Sequence, residues 1–125
     1  IARQGILVLE RGLDVNSEFS YAYRTLGVTH FWLARWQADN GTRPDEHLAE
    51  AQQVLLRAIA IRDSDTYAHE MLARVLLEMR RFEPERKKRQ VLSDRIRAEL
   101  ETSLAINPSN RQAEELLREI DLPHQ

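Results

Sequence analysis

Apolar residues recur along the chain at helical intervals, and nowhere do they alternate with the period of two that marks a half-buried strand. Residues 1–13 carry Ile1, Ile6, Leu9 and Leu13, with Ala2 beside them, on one predicted stripe. The polar run Asp14 to Ser17 is read as a break, with Asn16 or Ser17 capping a second helix over 18–39. That helix is predicted to turn Ala22, Tyr23, Leu26, Gly27, His30 and Leu33 inward. Asn40-Gly41 suits a helix end, and Pro44 suits the first turn of a third helix over 44–62. Its stripe is Leu48, Ala51, Leu55, Ala58, Ile59 and Arg62. After Asp63-Ser64-Asp65 a fourth helix, 65–82, carries Ala68, Leu72, Ala73, Leu76 and Met79. Pro84 opens a fifth, 84–106, and Asn107-Pro108-Ser109-Asn110 separates it from a short sixth, 111–122. The expected fold class is all-α: about six helices joined by short turns into antiparallel hairpins.

The pattern repeats. A shift of 46 carries Leu9 onto Leu55, Arg11 onto Arg57, Leu13 onto Ile59, Tyr21 onto Tyr67, Ala22 onto Ala68, Leu26 onto Leu72 and Gly27 onto Ala73. A further 45 carries Leu55 onto Leu100, Ile59 onto Leu104, Ile61 onto Ile106, Ala68 onto Ala113 and Leu72 onto Leu117. Self-similarity at a fixed period is the sequence mark of stacked repeats. Small residues fall at matching places, Gly27 with Ala73, and Gly12 with Ala58 and Ser103, where helix backbones are expected to approach closely.

These residues resemble the tetratricopeptide repeat (TPR) family. The resemblance rests on Leu9 to Gly27, on Leu55 to Ala73 and on Leu100 to Asn110. Within them lie Leu26-Gly27 and Leu72-Ala73, the small residues Gly12, Ala58 and Ser103, and Asn107-Pro108 after a second helix. It implies a short right-handed α-solenoid, with units at about 1–16 (partial), 17–62, 63–107 and 108–122 (a closing helix). The usual TPR unit has about 34 residues. The surplus of about 11–12 here is near three helical turns, so the hairpins are expected to be long. Long hairpins with a turn such as Asn40-Gly-Thr-Arg-Pro44 are similar to repeat tails of some bacterial Ser/Thr kinases.

The resemblance also implies a concave groove lined by the first helix of each pair. On this chain the groove face carries Tyr21, Arg24, Val28, Phe31 and Trp32, then Tyr67, Glu70, Arg74, Leu77 and Glu78. Aromatic and Arg side chains dominate binding hot spots, so the expected partner is a protein or peptide. The alternative is that Phe31 and Trp32 pack against the lengthened hairpin. Some family members clamp a C-terminal carboxylate with Lys and Asn; Arg24 and Arg74 offer charge here, but the Asn residues are missing.

Composition narrows the chemistry. The chain has 125 residues and a formal net charge of −2, which gives no overall attraction to nucleic acid or acidic membranes. Cysteine is absent, which excludes disulfides and thiolate zinc sites and fits a reducing, cytoplasmic setting. No apolar run is long enough to span a membrane. The chain starts at Ile1 inside a helical pattern and reads as a piece of a longer protein, its exposed first helix offering a face for self-association. The most basic stretch, 80–97, holds Arg80, Arg81, Arg86, Lys87, Lys88, Arg89, Arg95 and Arg97 against Glu83, Glu85 and Asp94. It reads either as a phosphate-backbone contact or as a solvated helix tip with Glu83–Lys87 and Glu85–Arg89 pairs; the net charge favours the second. His30 and His69 sit on packing faces. Asp45, Glu46, His47 and Glu50 suit an acidic first turn better than a metal site. No nucleophile–base pair, phosphate loop or hydrolase motif occurs, so no catalytic role and no cofactor are expected.

Overall fold

The computed structural model describes the backbone of residues 13–121 and the side chains of residues 18–121. Over that span the chain is all-helical, with five helices and no strand. They are α1 (Leu13–Asp39), α2 (Asp45–Ile61), α3 (Thr66–Phe82), α4 (Arg86–Ile106) and α5 (Arg111–Ile120). Each packs on the next in sequence, and α1 also touches α3. The expected helix over 1–13 and its apolar face, including Gly12, fall outside the described residues, as does residue 122.

The turns follow from local chemistry. α1 ends where Gly41 adopts φ +79°, a left-handed conformation that side chains rarely take, and Asn40 Nδ2 donates to the Trp36 carbonyl at 2.8 Å. Asp45 and Glu46 place negative charge in the first turn of α2, where the helix dipole favours it. Asp65 caps α3, its Oδ1 accepting from the Tyr67 and Ala68 amides at 3.0 and 3.2 Å. Asn110 caps α5 through the Ala113 amide at 3.2 Å. Pro84 separates α3 from α4, and α4 begins at Arg86, two residues later than expected.

The core is one cluster. Phe31 and Ala34 of α1 and Leu48, Ala51 and Leu55 of α2 meet Leu72, Ala73, Val75 and Leu76 of α3, Ile96 and Leu100 of α4, and Ala113 of α5. All the inward residues expected on α2 and α3 are buried or half-buried except Arg62, which lies exposed just past the end of α2. The period reappears in three dimensions. Ser20 Oγ donates to the Ala58 carbonyl at 3.0 Å, and Thr66 Oγ1, 46 positions on, donates to the Ser103 carbonyl at 2.9 Å. Arg24 bonds the capping Asp65; its counterpart Glu70 accepts from the capping Asn110 at 3.0 Å. Each hairpin is thus tied once within itself and once to the cap of the helix that follows it.

Two expectations about α1 are corrected. The backbone is helical through residues 14–17, so no break occurs there. Asp, Asn and Ser cost only some tenths of a kcal/mol each in a helix interior, and without Gly or Pro such a run does not stop a helix. The inward face is also rotated. Ser20, Gly27, Phe31 and Ala34 are buried, whereas Ala22, Leu26 and Leu33 are exposed and Tyr23 and His30 half-buried. The match to α3 misled because α3 has α2 on one side and α4 on the other, whereas no helix precedes α1 among the described residues.

Candidate functional site

The contact between α1 and α3 sets their matching stripes side by side. Arg24 lies between two tyrosines, its guanidinium 4.9 Å from the Tyr21 ring centre and 5.7 Å from that of Tyr67. It also donates to both Asp65 carboxylate oxygens at 3.0 Å. The Asp65 side chain is only 9% exposed, so the cap, the ion pair and the stacking hold one another in place. Tyr21 and Tyr67 remain 61% and 52% exposed, an unusual state for aromatic rings held this rigidly. Further along the face Trp32 is exposed, edge-on to Phe31 at 5.2 Å, with Arg35 about 6.0 Å from both rings and 3.7 Å from Glu78. Val28, Arg74, Leu77 and Glu78 are half-buried between these clusters.

Two of the residues expected to line the groove do something else. Phe31 is 3% exposed and belongs to the core, since it stands one helical step round from Trp32, on the face that meets α2. Glu70 is 3% exposed and serves the fold. It accepts from Asn110 and forms a 3.0 Å ion pair with Arg74, which spends that arginine's charge as well. The exposed rings of this face are Tyr21, Trp32 and Tyr67, with Arg24 and Arg35, each paired to a carboxylate like Arg74, among them. Arg35 escaped the sequence reading, although its place three residues after Trp32 would have put it on the stripe.

The basic stretch is organised by α4. The expected Glu83–Lys87 and Glu85–Arg89 pairs do not form; Lys88 meets Glu85 at 3.6 Å, and Arg89 donates to the Glu83 and Pro84 carbonyls at 2.9 and 2.7 Å. These carbonyls end α3, and a neutral partner within reach held Arg89 more firmly than an exposed carboxylate. Arg80, Arg86, Arg89, Gln90, Ser93, Arg97 and Ile120 line a hollow of about 430 Å3. A second hollow, about 450 Å3 and mostly apolar, lies between the hairpin tips, with Leu48, Met79, Phe82 and Leu92 in its wall. Arg43 reaches across this tip to donate to the Phe82 carbonyl at 3.3 Å. Neither hollow was visible in the sequence, because each draws on elements far apart in the chain.

The histidines pair rather than gather. His30 and His47 bring their Nδ1 atoms to 2.9 Å between α1 and α2. Asp45, Glu46 and Glu50 are exposed, and among the described residues no three of His, Cys, Asp and Glu come together as a metal set. His69 is buried, with Nδ1 2.6 Å from Glu99 and Nε2 2.8 Å from the Asp63 carbonyl. The Glu99 hydrogen bond raises its pKa above the ordinary 6.5; burial opposes this, and the Asp63 carbonyl assists. A raised folded-state pKa contributes stability that is complete below the unfolded value and lost as pH rises through the folded one. Lowering the pH from the mildly alkaline range to below 6.5 is expected to raise the unfolding free energy through this group. Urea titrations of the wild type and of Glu99→Gln check this, because the variant is expected to lose the dependence.

No helix among the described residues is long and apolar enough to cross a membrane. Comparison with protein-family models, with curated proteins and with solved structures found no match.

Proposed function

We propose that this chain is a non-catalytic scaffold that binds a protein or peptide across the face of α1 and α3, as part of a larger protein. The observation that carries the reading is Arg24 fixed between Tyr21 and Tyr67 while both rings stay more than half exposed. Rigid aromatic anchors with a paired arginine between them lose little entropy on binding, which is the character of a hot spot. The stacking is read as a right-handed, TPR-like α-solenoid of lengthened repeats. Its support is the pair of hydrogen bonds from Ser20 and Thr66, which recur with the sequence period. A cytoplasmic setting suits a chain without cysteine. A larger bacterial signalling protein such as a Ser/Thr kinase remains the proposed parent.

Reversing Arg24 or Arg74 is a poor test, because each holds a carboxylate that the fold needs. The exposed rings are cleaner. Wild type and the variant Tyr21→Ala/Trp32→Ala/Tyr67→Ala are compared as baits, with nuclease present and their melting temperatures matched. Partners retained by wild type are expected to fall at least ~10-fold on the variant, since hot-spot side chains contribute about 1–2 kcal/mol each or more. Equal retention overturns the reading.

A second reading is self-association through α1. Leu26, Leu33 and Trp36 form an exposed, charge-free stripe at spacings of seven and three, with Ala22 and Thr29 completing it. If wild type and variant retain nothing and the chain sediments as a dimer, the binding face is this one.

A further inference from the structure

We infer that the arginine-lined hollow at the junction of α3, α4 and α5 receives a phosphoryl group carried on a protein partner. Four of the residues around its space of about 430 Å3 are arginines, and no carboxylate lines it. They come from one face of α4 (Arg86, Arg89 and Arg97) and from the last turn of α3 (Arg80). Like charges gathered in a small concavity oppose one another unless an anion sits among them. The chain as a whole is slightly acidic, so the concentration is local rather than a reflection of composition.

Two of the four arginines are held without being neutralised. Arg80 Nη1 donates to the Ser93 hydroxyl at 3.0 Å, and Arg89 Nη1 donates to two backbone carbonyls. Both partners are neutral, so the side chains are aimed while their charge is unspent. Arg97 alone has a carboxylate, the exposed Asp121, whose bond lowers the Asp121 pKa. Two acids of α4, Glu101 and Asp94, also lie near Arg97, and Asp94 accepts from Gln90 at 3.1 Å. Fixed guanidinium forks match the oxygens of a phosphate, which carries about −1.5 to −2 charge and three strong acceptors. A nucleic-acid strand fits less well. No aromatic ring lines the hollow for base stacking; its apolar lining residue is Ile120. Phe82, the aromatic residue of the basic stretch, lines the hollow at the hairpin tips instead.

The inference shares no residue with the α1–α3 face and stands or falls separately from it. The test follows arginine Nε–Hε NMR signals and the melting temperature with three probes. These are inorganic phosphate balanced against chloride at constant ionic strength, a phosphoserine peptide beside its unphosphorylated form, and single-stranded oligothymidylate. Phosphate and the phosphopeptide are expected to move the signals of Arg80, Arg86, Arg89 and Arg97, and to raise the melting temperature by roughly 2–4 °C at saturating millimolar concentration. Arg86→Gln, which removes an exposed side chain with no ion-pair partner among the described residues, should keep its melting temperature in chloride and weaken phosphopeptide binding ~10-fold. The Tyr21/Trp32/Tyr67 variant should bind phosphate as wild type does. Equal responses to chloride and phosphate, unchanged binding by Arg86→Gln, or tight binding of oligothymidylate alone would each overturn the proposal.

Discussion

Asn110→Ala is expected to destabilise the protein by about 3 kcal/mol, the largest loss from any single polar truncation in the structure. One side chain does two jobs. Its Oδ1 caps α5 through the Ala113 amide, worth about 1 kcal/mol. Its Nδ2 faces Glu70 Oε1 at 3.0 Å, Ser103 Oγ at 3.1 Å and Thr66 Oγ1 at 3.3 Å, all buried. Thr66 and Ser103 also bond each other's backbone, at 2.9 Å in both directions. Alanine leaves the Glu70 carboxylate, 3% exposed, with only Arg74 beside it. A buried charge stripped of a donor costs more than the bond itself was worth. Because α5 packs chiefly on α4, it should loosen first. Hydrogen exchange is therefore expected to quicken over Arg111–Ile120 before the global melt, which should fall by roughly 10 °C. Uniform exchange with a loss under about 1 kcal/mol would show that the network carries no such weight.

Gly27→Ala is expected to destabilise by about 1–2 kcal/mol, although alanine is the better helix former. An added Cβ would stand 2.5 Å from Leu55 Cγ and 2.7 Å from its Cδ2. Leu55 is fully buried between helices and cannot swing aside cheaply. Overpacking of about 1–3 kcal/mol outweighs the ~1 kcal/mol that alanine gains in propensity. Leu55→Ala alone should cost about 2–5 kcal/mol through the cavity it leaves. The double variant fills part of that cavity with the new methyl, so its loss should fall short of the sum by about 1 kcal/mol or more. Chemical denaturation of the four proteins closes the cycle. Additivity, or a Gly27→Ala protein as stable as wild type, would place the close approach elsewhere.

Both positions bear on what could be read before the tertiary structure. The period of 45–46 aligned Gly27 with Ala73 and Ala58 with Ser103, and each of these residues is buried. Helix type and the breaks at Asp63–Asp65 and Asn107–Asn110 were legible because they depend on near neighbours: apolar spacing, and short polar residues whose side chains accept from an amide two or three places on. The turn at Gly41 was legible for the same reason. The face of each helix was legible only where neighbours exist on both sides. On α3 the stripe of Ala68, Leu72, Ala73 and Leu76 is fully buried, while on α1 the matching Ala22 and Leu26 are exposed. Nothing local distinguishes the two copies.

The proposed binding face shows the same division. Its aromatic character was present in the order of residues, but Phe31 and Trp32 are adjacent, and only packing against α2 sent one into the core and left the other outside. Glu70 and Arg74 read as groove charges until a residue some forty positions away, Asn110, was brought against Glu70. The basic run was plain in composition, yet its hollow needs Arg80 from α3 and Ile120 from α5. What the sequence by itself determined was helix type and period, with the turns from Asn40 onward, since these are governed by energies between near neighbours along the chain. Which charges are spent and which rings stay in water was decided by the tertiary structure, because desolvation and pairing depend on what the fold places alongside.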